Sequence, residues 1–148
     1  MEPEEMFMRL ALAEAKKALG RGEVPVGAVL VAEGKILSRG FNQARGKNDS
    51  TAHAEILAIR KAGARRKNYR LVGCDLYVTL EPCAMCLGAV VQARIRRVFY
   101  GAADPKAGAV RSVMKFPFAK LNHRPEIRGG LLADECGQML REFFRAKR

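Results

Sequence analysis

The run Asp75-Leu-Tyr-Val-Thr-Leu80-Glu-Pro-Cys83-Ala-Met-Cys86 constrains this chain more than any other stretch. Six residues rich in β-branched and aromatic side chains predict a buried strand, and Pro82 breaks it because proline cannot donate to a ladder. Proline is also favoured in a first helical turn, so the spacing predicts a helix over Cys83–Ala93. A strand that runs straight into a helix, followed by the second strand-like run Arg96–Ala102, is a strand–helix–strand unit. Such units imply a partly parallel sheet covered by helices.

The rest of the chain fits that frame. Residues 4–20 predict a helix with Met6, Leu10, Ala13 and Leu19 as its apolar stripe. Val26–Ala32 and Lys35–Phe41 flank a Glu33-Gly34 turn and predict a hairpin. Residues 43–50 are a polar loop, and Ala52–Ala62 predicts a helix with Ile56, Leu57 and Ile59 apolar. After a long irregular stretch from residue 103 to 126, a short strand is expected near Glu126–Leu132, and a final helix from about Asp134 to the end. At 148 residues this is one domain with a sizeable core. No apolar run is long enough to cross a bilayer. The acidic start MEPEEMF lacks the basic and apolar regions of a signal peptide, which predicts a cytosolic protein.

Cysteine in a reducing compartment points to metal or redox chemistry rather than a disulfide framework. Cys83 and Cys86, at i and i+3, share one helix face near its N-terminus, where the helix dipole favours thiolates. His53 falls near another predicted helix start. One imidazole and two thiolates suit a tetrahedral zinc ion and leave the fourth position open, as catalytic zinc requires. The other candidates do not complete a cage. Cys74 and Cys136 read as small buried thiols, and His123 reads as a surface or supporting residue. Glu55 does not fit a capping box with Thr51 or Ser50. Beside an open metal position it is expected to carry protons between water and a leaving group. A redox pair, or a structural zinc in an RNA-binding module, are the readings from other classes.

The charge points to a partner. Lys and Arg number 27 against 15 Asp and Glu, a formal +12, and such a field attracts polyanions, nucleic acid above all. Solubility alone is the plainer explanation. Basic residues recur near the candidate site: Arg45 and Lys47 before His53, Lys106 and Arg111 in the long loop, and Arg141, Arg145, Lys147 and Arg148 on the last helix. Of Phe143 and Phe144, at least one is expected in the core, which leaves the other to stack on a base.

His53-Ala-Glu55 followed by Pro82-Cys83-Ala-Met-Cys86 matches H-x-E…P-C-x-x-C, the signature of zinc nucleobase deaminases. The chain resembles the cytidine/deoxycytidylate deaminase superfamily. With EVPVGAVLV, Phe41-Asn42, TAHAEI, NYRL, LYVTLEPCAMC and GAADPKAGA it is similar to that superfamily's bacterial tRNA-specific adenosine deaminases over nearly its whole length. The resemblance implies an α/β fold, a three-layer α/β/α sandwich with a five-stranded mixed sheet, in a homodimer without an organic cofactor. It implies deamination of the wobble adenosine to inosine in the anticodon loop of an arginine tRNA. Hydroxide generated at zinc would attack C6, with one zinc per subunit held by His53, Cys83 and Cys86 and with Glu55 as proton shuttle. Asn42 would bond the target nucleotide, Asp104 would belong to the substrate loop, and Val26, Ala54 and Leu80 would lie near the base. Arg45, Lys47, Lys106, Arg111, Phe144 and Arg145 are the candidate RNA contacts. Two positions depart from the usual family pattern: Ser50 stands where proline is frequent, and Ala103 where arginine is common. Free cytosine, a cytidine mononucleotide or guanine would suit the same chemistry.

Overall fold

A computed structural model describes residues 2–147. The chain runs through α1 (Pro3–Gly20), β1 (Gly27–Ala32), β2 (Lys35–Phe41), α2 (Ala54–Arg66), β3 (Cys74–Leu80), α3 (Ala84–Ala93), β4 (Arg97–Ala102), β5 (Glu126–Arg128) and α4 (Ala133–Ala146). The element order is the expected one. The five strands form a single sheet in the order β2-β1-β3-β4-β5. β1 is antiparallel to both neighbours, whereas β3, β4 and β5 are parallel. α1 and α4 cover one face and α2 and α3 the other, giving the three-layer sandwich.

This topology places the site. β2 and β3 point the same way because each is antiparallel to the β1 between them. The helices that follow them, α2 and α3, therefore begin at the same edge of the sheet. α2 sits close against it because Gly40 in β2 leaves no side chain in the way. A Cβ at Gly40 would lie 2.5 Å from the Ala54 carbonyl oxygen and 2.9 Å from the Ala58 nitrogen. The core behind this edge includes Leu30, Leu76, Val78, Leu87, Val90 and Val98, all fully buried.

Three expectations shift. In α1 the buried face is Phe7, Met8, Ala11, Leu12, Ala15 and Ala18, while Met6 and Leu19 are exposed at 46% and 41%. The stripe is built largely of alanines, which let the helix approach β1 so closely that a Cβ at Gly27 would strike the Ala11 carbonyl. α2 starts at Ala54 rather than Ala52, and α3 at Ala84, with His53 and Cys83 as extended N-cap residues. β5 stops at Arg128.

At the opposite end of the sheet from these helix starts, Asp75 accepts paired hydrogen bonds from Arg96 (3.2 and 3.0 Å) and Arg97 (3.1 and 2.8 Å). Burial works against its charge, but the bonds from Arg97 and Arg96 outweigh burial and hold its pKa below the ordinary value. A depressed carboxylate pKa adds stability above the unfolded value of about 4 and loses it as pH falls through the folded value. Solvent around the two guanidiniums screens the pair, so Asp75→Asn is expected to lower stability by about 1–2 kcal/mol at pH 7. Urea unfolding should show this deficit shrinking toward pH 3; an equal deficit at both pH values would remove the ion pairs from the explanation.

Candidate metal centre and substrate groove

His53 and Cys83 share a local design. Each ends an extended segment (φ −76°, ψ 153° and φ −82°, ψ 174°) and caps a helix. His53 Nδ1 lies 3.7 Å from Cys83 Sγ and 3.6 Å from Cys86 Sγ, and all three donor atoms lie within 4.8 Å of one another. Tetrahedral zinc, with Zn–S of about 2.3 Å and Zn–N of about 2.0 Å, sets nitrogen–sulfur separations of about 3.6 Å. The three side chains fit that ion as they stand. Among the described residues they form the one group of three or more His, Cys, Asp or Glu side chains so placed.

Of the three donors, Cys83 is the one whose surroundings favour the form that binds a metal. The Cys83 thiol is pulled down to about 4, chiefly by a hydrogen bond from Cys86, with His53 adding to it against the effect of burial. Cys86 is pushed up by its bond to Cys83 and by burial. The pKa of His53 is raised, chiefly by the hydrogen bond between its own ring and Cys83. Two helix N-termini meet here, each favouring negative charge.

Glu55 lies in the first turn of α2, 4% exposed, within hydrogen-bonding reach of Cys86. Burial raises its pKa, the direction that suits a group that must both take and give a proton. A regular helix would send residues 53 and 55 to different faces. Both address one point because His53 precedes the helix and Glu55 stands in its first turn.

Asn42 follows β2 and accepts the Ala54 N–H on Oδ1 at 2.8 Å, which caps α2. With its oxygen engaged, its amide NH₂ is the end that can meet a substrate, as a donor. Val26 and Ala54 are buried and Leu80 is half-buried. Beside the His–Cys–Cys cluster, rather than on it, a groove of about 820 Å³ runs between the end of β3 and α4. Leu80, Asp104, Lys106, Arg141, Phe144 and Arg145 line it. Asp104 Oδ1 accepts the Lys106 N–H at 3.0 Å and that of Ala107 at 3.3 Å, which shapes the groove's rim.

Other candidates fall elsewhere. Cys74 and Cys136 are buried thiols, and His123 binds the Ile95 carbonyl at 2.7 Å as a loop tether. Neither Phe143 nor Phe144 enters the core: Phe143 is half-buried, Phe144 is 39% exposed, and α4 buries Cys136, Gly137 and Leu140 instead. Lys106 Nζ stands 4.8 Å from the Phe144 ring centre. Arg45, Lys47 and Arg111 are exposed, and Arg148 lies outside the described residues.

Two buried carboxylates beside the site went unread in the sequence. Glu23 accepts the N–H groups of Arg45 (3.1 Å) and Gly46 (2.7 Å). Glu81 accepts those of Asp104, Val110, Arg111 and Ser112. Each holds a loop beside the site. The only signal was an acidic residue next to an apolar strand, as in Leu80-Glu81-Pro82.

The model of the cytidine and deoxycytidylate deaminase zinc-binding region matches residues 1–102, which include His53, Glu55 and both cysteines. The chain belongs to this deaminase family. A tRNA-specific adenosine deaminase from Agrobacterium fabrum is 53% identical to it over 96% of this chain and 94% of the relative. A solved structure from work on A-to-I editing by tRNA:A34 deaminases at the wobble position of transfer RNA superposes with a TM-score of 0.88. That structure is 51% identical over 91% of this chain and 99% of its own. The guanine deaminase of Bacillus subtilis is 40% identical over 78% of this chain and 73% of its own, with a TM-score of 0.66. The similarity to the deaminase of the tRNA class thus spans both the metal centre and the α4 groove.

Proposed function

We propose that this deaminase converts the wobble adenosine of a tRNA anticodon loop, that of an arginine tRNA, to inosine. The observation that carries the reading is the His53–Cys83–Cys86 cluster with buried Glu55 at its side, set beside a groove walled by Lys106, Arg141, Arg145 and Phe144. The 53% identity to a tRNA-specific adenosine deaminase supports adenosine on RNA over a free base. The formal +12 supports it too, since a small neutral base needs no such field.

His53, Cys83 and Cys86 would hold one zinc ion per subunit. Zinc, when bound, supplies the Lewis acidity that brings the pKa of a water toward about 7. Glu55 takes the proton that water gives up, delivers it to the purine ring nitrogen, and serves the departing amino group. C6 exchanges its amino group for the water oxygen, so one water is consumed and one ammonia leaves. Asn42 donates to the target nucleotide, and Val26, Ala54 and Leu80 bound the base. A looped-out base enters cheaply because an anticodon loop is already unpaired. Asp104 and the side chains of Arg45, Lys47, Lys106, Arg111, Phe144 and Arg145 hold the loop, with Phe144 offering a face for stacking.

The whole chain acts as one zinc-dependent deaminase domain in a cytoplasmic homodimer. Among the described residues no helix is long and apolar enough to cross a membrane. The substrate class is tested by offering tRNA, adenosine, cytosine and guanine separately at equal concentration. Product from tRNA alone is expected; ammonia from guanine or cytosine with none from tRNA overturns the reading.

A further inference from the structure

The loop from Ala103 to Pro117 carries Asp104, Lys106 and Arg111, and one buried side chain organises it. The Glu81 carboxylate, 2% exposed, accepts the N–H of Asp104 on one oxygen at 3.1 Å. The other oxygen accepts those of Val110 (3.0 Å), Arg111 (2.9 Å) and Ser112 (3.1 Å). The Ser112 hydroxyl donates to the first oxygen as well. Gly108 closes the wrap: a Cβ there would strike the Glu81 carboxylate. The Ala109 N–H donates to the Pro82 carbonyl at 2.9 Å, which ties the loop to the next residue of the same turn.

Five donors on one acceptor-only group exceed what stability of a surface loop requires. A carboxylate is the side chain that can accept them all, and each N–H left without it would be a part-buried donor lacking this partner. The placement matters as much as the number. Glu81 stands two residues before Cys83, in the turn that presents that sulfur to the metal position.

We propose that Glu81 is a positioning residue for the substrate: by holding residues 104–112 around its carboxylate, it sets where Asp104, Lys106 and Arg111 stand relative to the Cys83 turn. It rests on the function proposed above. The loop and the metal turn then move as one piece, and RNA meets a preformed surface.

Glu81→Gln tests this selectively. The glutamine oxygen can serve the three N–H groups of Val110, Arg111 and Ser112. Its NH₂ then faces the Asp104 N–H, donor against donor, whereas the Ser112 hydroxyl can turn to accept. The Asp104 end of the loop is freed and the rest kept. On an anticodon stem-loop RNA, KM should rise about tenfold with kcat within about threefold of wild type. Zinc content should match wild type and the melting temperature should fall by only a few degrees, and amide hydrogen exchange at Asp104 should quicken about tenfold while β3 is unchanged. An unchanged KM, or kcat falling in step with lost zinc at unchanged KM, overturns the proposal and leaves Glu81 a support of the Cys83 turn. If Glu81→Gln does not fold, Glu81→Asp decides: it keeps the charge but withdraws both oxygens by one methylene, so a raised KM supports the proposal and an unchanged one overturns it. Wild-type protein inactive on the RNA indicts the substrate reading instead. In that case, unchanged exchange at Asp104 overturns the positioning role and quickened exchange supports it.

Discussion

Replacing Glu55 by glutamine should leave a folded, zinc-loaded protein that forms inosine about 10³-fold more slowly. The carboxylate is not among the three metal donors, so its loss takes no bond from the ion. Glutamine fills the same buried volume and keeps an acceptor in the first turn of α2. What it cannot do is accept and return a proton. Elemental analysis, circular dichroism and single-turnover kinetics on one preparation separate the outcomes. A variant with full zinc, native melting and near-native turnover would remove Glu55 from proton transfer. Loss of zinc and turnover together would assign it to the structure of the site.

His53→Ala should do the opposite, losing the metal first and activity with it. Two thiolates alone leave zinc with half a tetrahedral shell, and Cys86 stays buried next to Glu55. A ligand present at 1,000 times its Kd adds about 4 kcal/mol to folding stability, and at this chain length that corresponds to a melting temperature lower by about 10 °C. Chelation of the wild-type protein should reproduce the same shift, and His53→Ala should then show no further response to chelator. Wild-type zinc stoichiometry in the variant would exclude His53 from the donor set.

Much of this was legible in the chain itself. Apolar and β-branched runs broken by Glu33-Gly34 and by Pro82 marked the strands, and the i, i+3 cysteines after Pro82 marked the metal face. What failed shares a cause. The buried stripe of α1 is Ala11, Ala15 and Ala18 beside Phe7, Met8 and Leu12, and attention to the larger Met6 and Leu19 misjudged its phase. A small residue becomes core when a neighbouring backbone comes close, which depends on Gly27 in the strand that follows. Phe143 and Phe144 misled for the converse reason: α4 packs through Cys136 and Gly137, against Gly101, and leaves its aromatic end at the groove. Glu23 and Glu81 were unreadable because their partners are backbone N–H groups, which carry no residue-specific signal. The Asn42 contact with Ala54 is of the same kind. Side-chain chemistry announced the metal centre, whereas the loops that would present RNA to it are set by backbone geometry.

The most direct measurement is nucleoside analysis of an arginine tRNA after reaction with the zinc-loaded protein, with released ammonia assayed in parallel. Inosine at the wobble position, one ammonia per inosine, and neither product from Glu55→Gln on the same timescale are the expected results. Adenosine persisting at that position while free guanine or cytosine yields ammonia would contradict the proposed activity.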